Sequence, residues 1–174
     1  MNATPDARSA EVSTLCRVAD EAGLSAVARS LVAALPTPAF VALSGELGAG
    51  KTTFVKAIAA ALGIDPAEVV SPTFGLIHVH PVPDGPGRPR RLVHADLYRL
   101  ATAEDLHETG WADATAGECQ VFVEWPARAA AALPADRLDV VISIDSETGR
   151  TLTFTPRGSF PRVGLPGCDP SITP

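Results

Sequence analysis

The sequence is short of several things, and each shortage closes a class of function. Lysine occurs only at Lys51 and Lys56, and 14 basic residues face 20 acidic ones, for a net charge of −6. A domain that grips nucleic acid through its own surface needs the opposite balance, so any role on RNA would go through a partner or a small local patch, and DNA is not expected. Asparagine occurs once, at Asn2, which removes the N-K-x-D loop of guanine recognition and with it a GTPase. The cysteines, Cys16, Cys119 and Cys168, are odd in number and lack C-x-x-C spacing. They read as buried or incidental thiols of a reducing compartment. The start, Met1 to Arg8, has no apolar segment behind a basic one. The most apolar stretch, Leu31 to Leu43, is broken by Pro36 and Pro38 and is too short to span a bilayer. A cytoplasmic protein without membrane contact is expected.

What is present suits one globular domain of 174 residues, 46% of them hydrophobic. Residues 1–14 read as a loose start, 15–157 as the domain, and 158–174 as an unstructured tail, carrying Pro161, Pro166, Pro170 and Pro174. Leu24, Val27, Ala28, Leu31, Val32 and Leu35 recur at helical spacing behind a capping Asp20 and before Pro36. The run Ala39 to Leu43 is apolar throughout, as in a strand covered on both faces. A second helix presents Val55, Ile58, Ala59 and Leu62 and ends at Gly63. Further strands are expected at Thr73–Val82 and Arg91–Ala95, joined by a turn-rich 83–90 segment, at Gln120–Glu124, and in a closing hairpin of Leu138–Ile144 and Thr151–Thr155. Thr102 caps a short helix with an acidic first turn.

Between the first strand and the second helix stands Gly45-Glu46-Leu47-Gly48-Ala49-Gly50-Lys51-Thr52, the G-x-x-x-x-G-K-[ST] pattern, followed by Thr53. Glycines at 45, 48 and 50 let the backbone turn tightly and come close to phosphate. The N–H groups of the loop and of the helix start then converge on one anion, aided by the helix dipole. Lys51 supplies a mobile cation for the terminal phosphates of ATP, and the Thr52 hydroxyl is placed for Mg²⁺. Residues Gly45 to Thr53 are thus the expected nucleotide-binding set. The metal shell or attacking water also needs an acid at a strand end. Asp96, after Leu92-Val93-His94-Ala95, and Glu124, after Val121-Phe122-Val123, both qualify.

Gly45 to Phe54 (GELGAGKTTF), Ser71-Pro72-Thr73-Phe74, Asp96-Leu97-Tyr98-Arg99-Leu100 and Val123-Glu124-Trp125-Pro126 stand in an order that resembles the TsaE family, over about residues 15 to 157. These are bacterial P-loop ATPases of tRNA threonylcarbamoyladenosine biosynthesis. The resemblance implies a P-loop NTPase-like three-layer α/β sandwich with a mixed, mostly parallel central sheet. It implies Thr52 and Glu124 on Mg²⁺, and Asp96 beside the γ-phosphate and attacking water, so that Lys51, Asp96 and Glu124 form the catalytic set. It also implies TsaB-like and TsaD-like partners, in whose complex ATP is mainly hydrolysed. The competing reading is a small-molecule kinase, for which the 83–91 segment is the only lid candidate.

Several smaller signals have plainer readings. Ser71-Pro72-Thr73 is either a γ-phosphate switch, sensing through the Thr73 hydroxyl, or merely the entry to a strand. Trp125, if still extended, faces away from Glu124 and packs. Asp20 and Glu21 match a family position near the nucleotide base, but helix capping is preferred. His78 and His80 share a strand face without a third ligand, which favours a solvated hairpin over a metal site. Arg90, Arg91 and Arg99 default to surface ion pairs, with Arg99 the best placed of them for phosphate.

Overall fold

The computed structural model describes residues 12–72, 75–102 and 104–172. Its elements begin where the local chemistry starts them. The Asp20 carboxylate accepts the Gly23 N–H at 2.9 Å and opens helix α1, Glu21–Ala34, which stops two residues before Pro36. Strand β2, Ala39–Ser44, leads into the glycine loop, and helix α2, Lys51–Ala61, follows with Gly50 as its N-cap. Gly63, at φ +84, turns the chain away from α2 in a conformation that suits glycine. The antiparallel pair β3, Ile77–Pro81, and β4, Arg91–Asp96, forms the expected hairpin. The helical signal after Thr102 is a 3₁₀ segment, Glu104–Thr109, followed by a short α3, Trp111–Thr115. Thr102 and Asp105 cap each other there, each side chain accepting the other's backbone N–H. Strands β5, Cys119–Glu124, β6, Arg137–Ile144, and β7, Arg150–Arg157, complete the expected elements.

Among the described residues, eight strands form one sheet in the order β3-β4-β5-β2-β6-β7-β1-β8, where β1 is Val12–Val18 and β8 is Asp169–Ile172. The sheet is mixed, as expected, but parallel pairing is confined to β4–β5, β5–β2 and β2–β6. The four remaining pairings are antiparallel, so the sheet is parallel at its centre rather than mostly parallel. Both faces of the centre are covered. Val41, Leu43 and Phe122 pack under α1 and α2 with Leu24, Leu31, Phe54 and Ile58. Phe40, Val93, Val121 and Val123 pack on the other side with Leu97, Leu106 and Trp111. Two covered faces explain why β2 and β5 read as unbroken apolar runs.

The ends of the chain depart from the sequence reading. Residues 12–14, assigned to a loose start, belong to β1. The tail is ordered over its described part: Val163 and Leu165 are buried against the α1–α2 side of the sheet, and β8 pairs with β1. Cys16 and Cys168 are joined in a disulfide rather than standing as separate thiols, whereas Cys119 is free and buried, as expected. Two buried aliphatic residues and one cross-link hold a segment whose proline content argued against structure.

Candidate functional site

The parallel centre brings the C-terminal ends of β2, β4 and β5 to one edge, and the sequence-predicted residues meet there. They line a cleft of about 380 Å³ with Gly48, Gly50, Lys51, Thr52, Thr53, Ser71, Asp96, Arg99 and Glu124 in its walls. The glycine loop is tight enough to need its residues. A Cβ on Gly45 would lie 2.6 Å from the Ile142 carbonyl oxygen. Gly50, at φ +100, sits in a left-handed conformation where a side chain is strained. No side chain caps α2, so the N–H groups of its first turn face the cleft as an anion-binding end.

Lys51 is 5% exposed and lies folded over the loop, its Nζ donating to the carbonyls of Gly45 at 2.8 Å and Glu46 at 2.9 Å. Burial pushes its ammonium below the ordinary lysine range, against the opposing pull of Glu124, Asp96 and Glu46. The Thr52 hydroxyl donates to Glu124 Oε1 at 2.8 Å, and His94 Nε2 lies 2.8 Å from the same oxygen. Asp96, beside Glu124 in the β4–β5 register, accepts the Tyr98 N–H on Oδ1 at 3.0 Å and the Ser71 hydroxyl on Oδ2 at 2.9 Å. Thr73, the other half of the expected switch, lies outside the described residues.

A threonine hydroxyl and a carboxylate in direct contact at the foot of a phosphate loop are hard oxygen donors of the kind Mg²⁺ takes alongside nucleotide phosphates. Nucleotide and Mg²⁺ therefore fit the residues present: an uncapped helix start and a lysine for the phosphates, and the Thr52–Glu124 pair for the metal.

Trp125 corrects the sequence reading. It is not extended but left-handed, at φ 57 and ψ 48, and its ring turns back over Lys51, whose Nζ is 4.1 Å from the ring centroid. The turn places the indole in the cleft wall beside Tyr98, 5.0 Å away between centroids. An aromatic residue in this conformation carries backbone strain of about 1–3 kcal/mol, held here by the packed surroundings. Asp20 caps α1, as preferred, yet Asp20 and Glu21 also line a second, smaller cleft with Gly48, Ala49, Gly50 and Arg150.

The remaining signals fall elsewhere. Arg90 pairs with Glu118 on the surface and Arg91 donates to the Ala116 carbonyl, both near the start of β4, the opposite end from Asp96. Arg88 donates to the Leu62 carbonyl beyond the C-terminal end of α2. The 83–91 segment is thus anchored away from the phosphate loop, which removes the lid a kinase would need. His78 and His80 face each other at 6.2 Å between ring centroids, and no cluster of three metal-binding side chains occurs among the described residues. Sequence reasoning missed His94, which it counted only as a strand residue. Its period-two relation to Asp96 on β4 puts both on the face of the carboxylates and was the available signal.

Comparison with known proteins gives a consistent result. The sequence model of the family described as "Threonylcarbamoyl adenosine biosynthesis protein TsaE" matches residues 18–152. The chain is 38% identical over 113 residues to the tRNA threonylcarbamoyladenosine biosynthesis protein TsaE of Treponema pallidum, covering 65% of this chain and 78% of that protein. It is 40% identical over 124 residues to the protein of the same name from Streptomyces coelicolor, covering 71% and 79%. The crystal structure of Bacillus subtilis YdiB aligns with a TM-score of 0.62 at 32% identity, covering 84% of this chain and 86% of that one.

Proposed function

Because this chain belongs to the TsaE family, whose members carry the name of tRNA threonylcarbamoyladenosine biosynthesis proteins, we propose that it serves that biosynthesis by binding and hydrolysing Mg·ATP. The observation that carries the proposal is the 2.8 Å contact between Thr52 at the foot of the phosphate loop and Glu124 at the end of β5, with Asp96 alongside.

In this reading the N–H groups at the start of α2 and the Lys51 ammonium hold the β- and γ-phosphates. Thr52 and Glu124 hold Mg²⁺, which when bound neutralises charge on the terminal phosphates. Asp96, with one oxygen on the Tyr98 N–H and the other on the Ser71 hydroxyl, is a fixed acceptor. It orients a water for attack on the γ-phosphorus as the bond to the bridging oxygen breaks. Lys51 exchanges its two loop carbonyls for phosphate oxygens while Trp125 covers its other side.

Turnover by the chain alone is slow. The cleft is open to water, which weakens its electrostatics, and its rim exposes Leu47 at 79% and Tyr98 at 44%. An apolar rim around a charged cleft supports a covering partner, and we assign that place to TsaB-like and TsaD-like proteins, which carry the contact with tRNA. No helix among the described residues is long and apolar enough to cross a membrane, and the site of action is the cytoplasm, with the tRNA. The test is reconstitution of threonylcarbamoyl transfer to tRNA from the separate proteins. Omitting this chain, or supplying it as Lys51→Ala, should stop multiple turnover; sustained turnover with Lys51→Ala would contradict the proposal.

A further inference from the structure

Of the buried polar side chains that touch the site, His94 has no task in the proposed chemistry. His94 is 0% exposed and lies on β4 two residues before Asp96, on the same face of the sheet. Its Nε2 is 2.8 Å from Glu124 Oε1, while its Nδ1 is buried without a hydrogen-bond partner among the described residues. Since an ionised carboxylate only accepts, the proton in this contact is on Nε2. An imidazole here is a poor choice for packing. Leu92 precedes it on the same face and is fully buried, and an aliphatic side chain at position 94 would leave no ring nitrogen unsatisfied. What the imidazole adds is one N–H directed at one oxygen.

That oxygen also accepts the Thr52 hydroxyl. Two donors from different elements, β4 and α2, therefore converge on Oε1 of a side chain that is itself 3% exposed. Once the Thr52 oxygen turns to a metal, the hydroxyl is shared between that metal and Glu124, to which it can still donate. The His94 bond does not depend on the cleft, since it approaches from inside the sheet. We infer that His94 is a positioning residue that fixes the Glu124 carboxylate for Mg²⁺ before the metal arrives. The inference rests on the reading of Glu124 as a Mg²⁺ ligand. Partners that orient ligating side chains in this way are typically worth about tenfold to a hundredfold in metal affinity.

The test titrates MgCl₂ into the full-length chain in the presence of a non-hydrolysable ATP analogue with a fluorescent ribose, and compares wild type, His94→Leu, His94→Gln and Glu124→Gln. The glutamine amide donates from close to the place of Nε2. The expected result is a half-saturating Mg²⁺ concentration raised about tenfold in His94→Leu, near wild type in His94→Gln, and raised in Glu124→Gln. Binding of the analogue without Mg²⁺ should be the same in the wild type and both His94 variants. Should His94→Leu fail to fold, His94→Phe keeps a ring without the donor and takes its place.

An unchanged requirement in the donor-free variant beside a raised one in Glu124→Gln overturns the role of His94 and leaves the ligand reading standing. An equal rise in His94→Gln makes the effect one of packing and also overturns it. An unchanged requirement in Glu124→Gln removes Glu124 from the metal and takes the inference with it.

Discussion

The two halves of the sheet solve different problems with different means. The parallel centre, β4-β5-β2, is covered on both faces and ends in a buried polar cluster of Lys51, Thr52, His94, Asp96 and Glu124. The antiparallel wing, β6-β7-β1-β8, buries Leu138, Val140, Ile142, Leu152 and Phe154 under the helices and turns residues such as Val141 and Arg17 outward. It is closed by the Cys16–Cys168 disulfide and by Val163 and Leu165 from the tail. The centre spends stability on buried charge, and the wing supplies stability away from the Thr52–Glu124 pair. The two touch at the glycine loop, where Arg150 of β7 donates to the Ala49 carbonyl at 3.0 Å.

If the division holds, changes in the centre should move turnover and changes in the wing should move stability. The largest effect is expected from Lys51→Ala and Glu124→Ala, each lowering ATP hydrolysis by at least about a hundredfold; wild-type-like turnover in either would break the site assignment. In the wing, Cys16→Ser should lower the free energy of unfolding by about 2–5 kcal/mol. Urea denaturation would read this, and ATP affinity should stay unchanged; a loss of affinity would mean that the wing shapes the loop. Asp96→Asn should slow turnover by about a hundredfold with affinity kept. Single-turnover and equilibrium binding measurements separate the two, and a collapse of affinity would reassign Asp96 to the metal or to structure. The smallest effect is expected from Arg90→Ala, whose partner Glu118 is likewise exposed; no shift in the urea midpoint or in turnover should be detectable.

The same contrast explains what could be read from the residues. The centre was legible because its constraints are local. An apolar run, three glycines, a lysine and a threonine at fixed offsets specify a strand, a loop and a helix end, and Asp20 and Gly63 mark helix boundaries by their own chemistry. Asp96 and Glu124 were legible as strand-end acids. The wing's closure depends on contacts far apart in the chain. Cys16 and Cys168 are separated by 152 residues, and no periodicity links them. Val163 and Leu165 lie among prolines and give no strand or helix pattern. Trp125 misled for a local reason: a residue before proline is biased towards extended backbone, and here Pro126 follows a left-handed tryptophan. His94 was harder to read, since its only signal, the period-two relation to Asp96, is shared by a histidine that merely packs.

The most direct test of the account is phosphate release from ATP by the purified chain, alone and with the proposed TsaB-like and TsaD-like proteins, in the presence and absence of Mg²⁺. The account predicts slow, Mg²⁺-dependent release that rises sharply when both partners are added and is absent in Lys51→Ala. Release that is indifferent to the partners, or that requires a small-molecule phosphate acceptor instead, would contradict it.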